Sequence, residues 1–373
     1  MRNTPEIRFE GFESEWEKNK LGDKYSINMG QSPKGKNYTI DSNYPILVQG
    51  NSDIENGWVK PRVYTKEITK TASRGDILIS VRAPVGDVAR TQYNIVIGRG
   101  MASIQANDFI YYYFNYLKSQ SYWVQYSTGS TFDSISSSQL KELEVEEPNL
   151  REQHKIGELF SKFDSLINLK DKEIEKLEAY KNSMMEVMFP KTDEKEPRVR
   201  FKSFYKPWKT KKLSDISYVQ SSNYKTTDVS NKGVPLYDVS RIIGYVDVTP
   251  ILEDYITIVK DGSVGKISLR PKGSQYIGTM NAIFSDNCDI KFLYYLMQKI
   301  DFDKYTVGSV VPHIYYKNYS KEKLLVPSLE EQKLIGSFFY NLDKHIELKK
   351  DELEKLKEFK AALLDKMFVQ VSV

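Results

Sequence analysis

Apolar side chains recur in steps of three and four along residues 152–189, at Ile156, Phe160, Phe163, Ile167, Ile174, Leu177, Met184 and Met188. The spacing predicts one long amphipathic helix of coiled-coil type, its stripe interrupted at Lys170 and Lys181. The stripe returns 179 positions later, at Ile335, Phe339, Leu342, Ile346, Leu353, Leu356, Leu363 and Met367, with interruptions at Lys349 and Lys360. From Pro148/Pro327 to Phe189/Phe368, 18 of 42 positions are identical. About 36 residues rising ~1.5 Å each make a rod of about 54 Å, whose stripe needs a covering partner. Its own twin, related by a pseudo-two-fold axis, is the economical candidate. The pattern leaves open whether the two run parallel or antiparallel.

Between the helices the pattern changes. Short β-rich runs (YPILVQG, DILISV and NIVIG; then VPLYDV, YITIVK and KISLR) alternate with turn residues, so each intervening segment reads as a mixed α and β globule. Each globule has one aromatic stretch with helical spacing, DFIYYYFNYLKSQ at 108–120 and DIKFLYYLMQK at 289–299. Stacked bases are one use for those rings, and the core face of an amphipathic helix is the more ordinary one. The globule starts also repeat: PEIRFEGFESEWEKNKLGD at 5–23 answers PRVRFKSFYKPWKTKKLSD at 197–215. The predicted organisation is a first globule at 1–149, a helix at 150–190, a second globule at 191–328 and a second helix at 329–373. It is an α+β tandem repeat whose ends match and whose middles have diverged.

Charge sharpens this picture a little. Residues 198–326 carry 20 basic against 12 acidic side chains, while residues 1–147 carry 17 against 18. A basic second globule favours a polyanionic partner there. The longest apolar runs are strand-sized, the first residues do not read as a signal peptide, and the single Cys288 fits a reducing cytoplasm. Three scattered histidines offer neither a metal site nor a triad. No G-x-x-x-x-G-K-[ST] loop is present, and GRGMAS at 98–103 has Ser103 where a dinucleotide fingerprint needs its third glycine. The acidic pair Glu146–Glu147 reads as a favourable neighbour of a helix start. The chain reads as a binder rather than a catalyst.

Two motifs carry a resemblance: P-x-[IV]-R-F-x-x-F-x-x-x-W-x-x-x-x-L-x-D before each globule and P-x-L-x-E-Q-x-x-I-G into each helix. With two diverged globules they make the whole chain resemble the specificity subunits of type I restriction-modification systems. The resemblance implies two target-recognition domains separated by two conserved helices in an antiparallel coiled coil. Each domain would read one half of a bipartite, asymmetric double-stranded DNA site. Two modification subunits would supply S-adenosylmethionine chemistry at adenine N6, and restriction subunits would add ATP- and Mg-dependent translocation and cleavage. The chain itself would be non-catalytic and need no cofactor or metal. The alternatives are a fused endonuclease or methyltransferase with an unrecognised site, and a coiled-coil scaffold indifferent to DNA.

Base edges call for Arg or Lys at guanine and Asn or Gln at adenine, while small hydroxyls suit phosphates. In the first globule the candidates are Gln31, Ser32, Lys34 and Lys36, then Gln49, Asn51, Arg82 and Arg99, and the hydroxyl-rich Thr128, Ser130 and Thr131. In the second they are Ser222, Asn223 and Lys225, then Ser240 and Arg241, and further along Lys266, Asn281, Ser309, His313 and Lys317. Beside or off the helix seam, Leu159, Leu166, Tyr180, Phe338 and Phe359 are candidates for a partner surface.

Overall fold

A computed structural model describes residues 4–126, 134–191, 194–308 and 310–371. The chain divides into two compact units, Met1–Asp171 with Glu352–Val373, and Lys172–Asp351. Both divisions fall inside long helices, which run Leu150–Met188 and Leu329–Lys366. Each unit therefore holds one globule, the N-terminal part of one long helix and the C-terminal part of the other. Each helix starts on a side-chain cap, the Asn149 oxygen accepting from Glu152 N at 3.1 Å and Ser328 Oγ from Glu331 N at 3.4 Å.

Within each unit the two helix parts run antiparallel. In the first, Asp164 meets Lys360, and Lys170 meets Glu352 at 2.8 Å. In the second, Glu173 meets Lys349 at 3.1 Å and Lys181 meets Asp343 at 2.6 Å. The four lysines that interrupt the apolar stripe are thus the residues that cross to the opposite helix. Half-exposed pairs of this kind contribute little stability, about 0–1 kcal/mol each. Their use is register, because a slide or a reversal would set like charges together. The apolar stripe is buried or half-buried as expected, with one shift: Met185 and Leu364 are buried, while Met184 and Leu363 are only half-buried. Near their C-terminal ends the helices also serve a globule, and a straight helix drifts relative to a 3.5-residue repeat.

The first globule has a six-stranded sheet in the order Ser26–Met29, Met101–Gln105, Ile77–Ser80, Val88–Arg90, Trp58–Val59 and Ile54–Glu55. The second has a four-stranded sheet, Tyr218–Ser221, Met280–Phe284, Tyr255–Val259 and Ile267–Arg270. The aromatic stretches are helices, Asp108–Ser119 and Ile290–Met297. Their rings are core: Phe109, Tyr112, Tyr113, Phe114 and Tyr116 are all almost fully buried, as are Phe292 and Tyr295. The aromatic residue just beyond the end of each long helix closes a core. Phe368 stands 5.3 Å from Phe109 in the first unit, and Phe189 stands 5.6 Å from Phe292 in the second, ring centre to ring centre.

The repeated motifs find one another. Arg8 of the first PEIRF stretch forks onto Glu152 of the first EQ pair, with both contacts at 2.7 Å, and Arg200 forks onto Glu331 at 2.7 and 2.8 Å. Gln153 Nε2 donates to Pro148 O at 2.9 Å, and Gln332 Nε2 to Pro327 O at 3.0 Å. Glu147 is no loose helix-start carboxylate. It is a buried strand residue that accepts from Tyr25 Oη at 3.2 Å and from Gln153 Nε2 at 3.2 Å.

The motif glycines let the long helix touch the aromatic helix. A methyl at Gly336 would lie 2.6 Å from Phe292 N, and one at Gly157 would lie 2.9 Å from Asp108 Cβ and 3.3 Å from Phe109 N. Gly336→Ala should therefore lower stability by about 1–3 kcal/mol, and Gly157→Ala by less, since at Gly336 a backbone nitrogen stands as close as the Asp289 carboxylate, both at 2.6 Å. Urea midpoints decide the order. Equal or raised midpoints would mean that the interhelix contact yields freely, leaving only the gain in helix propensity.

Candidate nucleic-acid interface

In the first unit the fold gathers side chains that lie far apart in the chain. Ser32, Gln49, Asn51, Arg82 and Arg99 line one cleft of about 200 Å3. Close backbone approach shapes it. A methyl at Gly100 would stand 2.2 Å from Gln49 O, and one at Gly98 would stand 3.2 Å from Ser32 Oγ. The glycines of GRGMAS thus serve packing at a turn into the Met101–Gln105 strand, with no helix following to receive a phosphate. Ser32 Oγ accepts from Arg99 N at 3.1 Å, which fixes the arginine's backbone. Asn51 Nδ2 donates to Pro84 O at 3.0 Å and to the Asp87 carboxylate, so its amide nitrogen is already engaged.

Gln31, Lys34 and Lys36 are exposed on the loop that leads into this cleft. Glu67 braces that loop by accepting from Lys34 N at 3.0 Å and from Asn37 Nδ2. Those two bonds hold the Glu67 carboxyl below the usual carboxylate range. Thr128, Ser130 and Thr131 lie outside the described residues, as does Ser309 of the second unit.

The second unit distributes its candidates over several places. Asn223 and Lys225 are exposed, and half-buried Ser222 accepts from Tyr224 N at 3.2 Å. Ser240 and Arg241 are exposed on a turn whose backbone nitrogens both bond Asp238 Oδ1 at 2.7 Å. Buried Arg270 supports that turn by donating to Asp238 O and Val239 O at 2.8 and 2.9 Å. His313 Nδ1 lies 2.6 Å from Asp261 Oδ1. Lys266 and Lys317 are exposed. Asn281 is buried in a central strand, and its oxygen accepts from Ser221 Oγ at 2.9 Å, so it serves the sheet.

A second constellation, missed in the sequence, ties each globule to the helices. Tyr112 donates to Asp164 at 2.6 Å, and Lys360 of the other helix reaches the same carboxylate. Tyr295 donates to Asp343 at 2.7 Å, and Lys181 closes that set at 2.6 Å. Burial, joined by the neighbouring carboxylate, pushes both phenols well above their ordinary range. Each is therefore a neutral donor at any physiological pH. The signal was available, because Asp164/Asp343 and Lys181/Lys360 are identical at the constant offset.

The proposed partner surface divides. Leu159 and Phe338 are half-buried against the unit cores. Leu166, Tyr180 and Phe359 are exposed, although Phe359 packs on Phe163 with tilted rings and Tyr180 meets Phe338 edge-on. The more open positions are Leu169 and Leu348, 65% and 60% exposed, apolar and identical in the two copies.

No helix is long and apolar enough to cross a membrane, and no group of metal-ligating side chains occurs, among the described residues. Comparison with known proteins agrees with the repeat. The MjaX type I restriction enzyme specificity subunit of Methanocaldococcus jannaschii is 34% identical over 183 residues, 47% of this chain and 42% of that protein. This chain thus spans less than half the length of that relative. The MjaVIII specificity subunit of the same organism is 24% identical over 397 aligned positions, covering 94% of this chain and 91% of the other. The fold matches the crystal structure of a type I restriction-modification S subunit from M. genitalium, with a TM-score of 0.73, 20% identity, and coverage of 99% and 100% of the two chains. The family described as type I restriction modification DNA specificity domain matches twice, at residues 13–179 and 205–358. With both globules matched, and each match running on into its long helix, the chain belongs to the type I restriction-modification DNA specificity family.

Proposed function

We infer that this chain is the DNA-reading subunit of a type I restriction-modification complex and performs no bond chemistry itself. One observation carries the reading: two globules with different surface side chains stand on copies of one helix whose motif residues make the same contacts in both units. Each globule reads one half of a bipartite site. Partner subunits bring S-adenosylmethionine, ATP and Mg, and the complex works in the cytoplasm. Genome-wide mapping of N6-methyladenine with and without this gene tests it. A two-part motif that vanishes with the gene is expected, and an unchanged methylome would overturn the reading.

Two modification subunits would dock on the helices, one near each copy. Identical exposed leucines at Leu169 and Leu348 support this, one equivalent apolar position being open on each helix copy. Leu169→Glu with Leu348→Glu should cut capture of modification subunits at least about tenfold, as for loss of an apolar contact worth ~1.4 kcal/mol or more. Binding of the isolated chain to DNA should persist. A pull-down with undiminished capture would remove these positions from the interface.

A further inference from the structure

The two units differ where their backbones correspond most closely. Arg82 pairs in an isolated antiparallel bridge with Ser134, and at the constant offset of 179 Asp261 pairs likewise with His313. Arg99 corresponds in the same way to Gly278. One backbone frame thus presents two arginines in the first unit, and a carboxylate closed by a histidine in the second.

Resting on the DNA-reading function inferred above, we propose that Arg82 and Arg99 are specificity-determining residues that read guanine in the half-site of the first unit. Both line the cleft beside Gln49 and Asn51, and both are exposed. Neither guanidinium has a side-chain hydrogen bond or an ion pair among the described residues, and the acidic Asp87, five residues from Arg82 in the chain, already holds Asn51 and Lys118. An arginine fork matches the O6 and N7 acceptors of guanine in the major groove, the one base edge offering two adjacent acceptors. Arg99 is the better placed of the two, because Ser32 fixes its backbone nitrogen and the flanking glycines seat it against the Gln49 backbone. A reader held at its root loses less freedom on contact. In the second unit the corresponding positions offer no free guanidinium, so its half-site must be read with other side chains.

The test uses the chain together with its modification subunits, at one fixed salt concentration. The half-site of the first unit is identified as the one altered by exchanging residues 24–147. It should contain guanine, and the complex should discriminate against replacement of that guanine by roughly fivefold to a hundredfold. Arg99→Gln should erase the discrimination at one guanine and leave the other half-site unchanged. Arg99→Lys keeps the charge but not the fork, so it should weaken the discrimination less than Arg99→Gln does while retaining most affinity for unrelated DNA. Arg82→Gln should act at a different position of the same half-site. Denaturation midpoints equal to that of the parent chain confirm that each variant is folded.

A half-site without guanine would overturn the proposal. So would an Arg99→Gln complex weakened equally on all sequences, since that marks a phosphate contact. In each case a parent complex that still methylates a bipartite motif leaves the broader reading standing. A parent complex with no sequence preference would remove both.

Discussion

Arg8→Ala should destabilise the first unit by about 3–5 kcal/mol, a large part of the ~5–15 kcal/mol that a domain has to lose. The Arg8 guanidinium is the bidentate partner of a Glu152 side chain that is 0% exposed. Removing it leaves a carboxylate in the interior without its bidentate partner. Arg200→Ala should do the same to the second unit, but less severely. Glu331 there keeps a second donor, Trp208 Nε1 at 3.4 Å, whereas Trp16 Nε1 has no hydrogen-bond partner among the described residues. The cost comes from the stranded charge, so Arg8→Met combined with Glu152→Leu should recover most of it. Guanidinium unfolding followed by circular dichroism checks the order Arg8→Ala, then Arg200→Ala, then the double variant. A double variant as unstable as Arg8→Ala would show that the pair contributes through its own attraction.

Exchanging residues 24–147 for the matching segment of a relative should replace one half of the recognised site completely and leave the other half untouched. The cleft side chains of the first unit all lie inside that segment. Its anchors lie outside it: Trp16, Glu152, Phe160, Asp164, Lys360 and Phe368 remain with the recipient. The donor must therefore supply an aromatic helix equivalent to Asp108–Ser119, with rings to meet Phe160 and Phe368 and a hydroxyl to reach Asp164. A donor with phenylalanine in place of Tyr112 should still read its own half-site but unfold earlier, because Asp164 and Lys360 lose their neutral partner. Methylation mapping of the hybrid complex gives the result. Simultaneous change of both half-sites would mean that the units do not read independently.

How far each feature was legible follows from the range of the interaction behind it. The long helices, their interruptions and the strand runs of both globules were readable, because burial periodicity is written along a few consecutive turns. The tandem repeat was readable too, since comparing the chain with itself needs no geometry. Pairing direction was not. An apolar stripe is much the same read from either end, and the antiparallel arrangement emerged only when Lys170 met Glu352 and Lys181 met Asp343. The repeated Arg and Glu were recognised as marks of resemblance, yet nothing in their spacing said that Arg8 and Glu152, 144 residues apart, form one buried pair.

The candidate readers show the same boundary. Residue type selected Ser32, Gln49, Asn51, Arg82 and Arg99 as chemistry suited to bases, but also selected Asn281, which the central strand buries. Leu159 and Phe338 were chosen by helix face alone, and the globules half-cover them. By itself the sequence determined which side chains avoid water locally and which segments are copies of one another, because both follow from the order of residues without any geometry. Only the tertiary structure decided which polar groups meet, which apolar positions stay open and which distant loops share a cleft. Those outcomes depend on contacts between segments whose separation along the chain carries no distance in space.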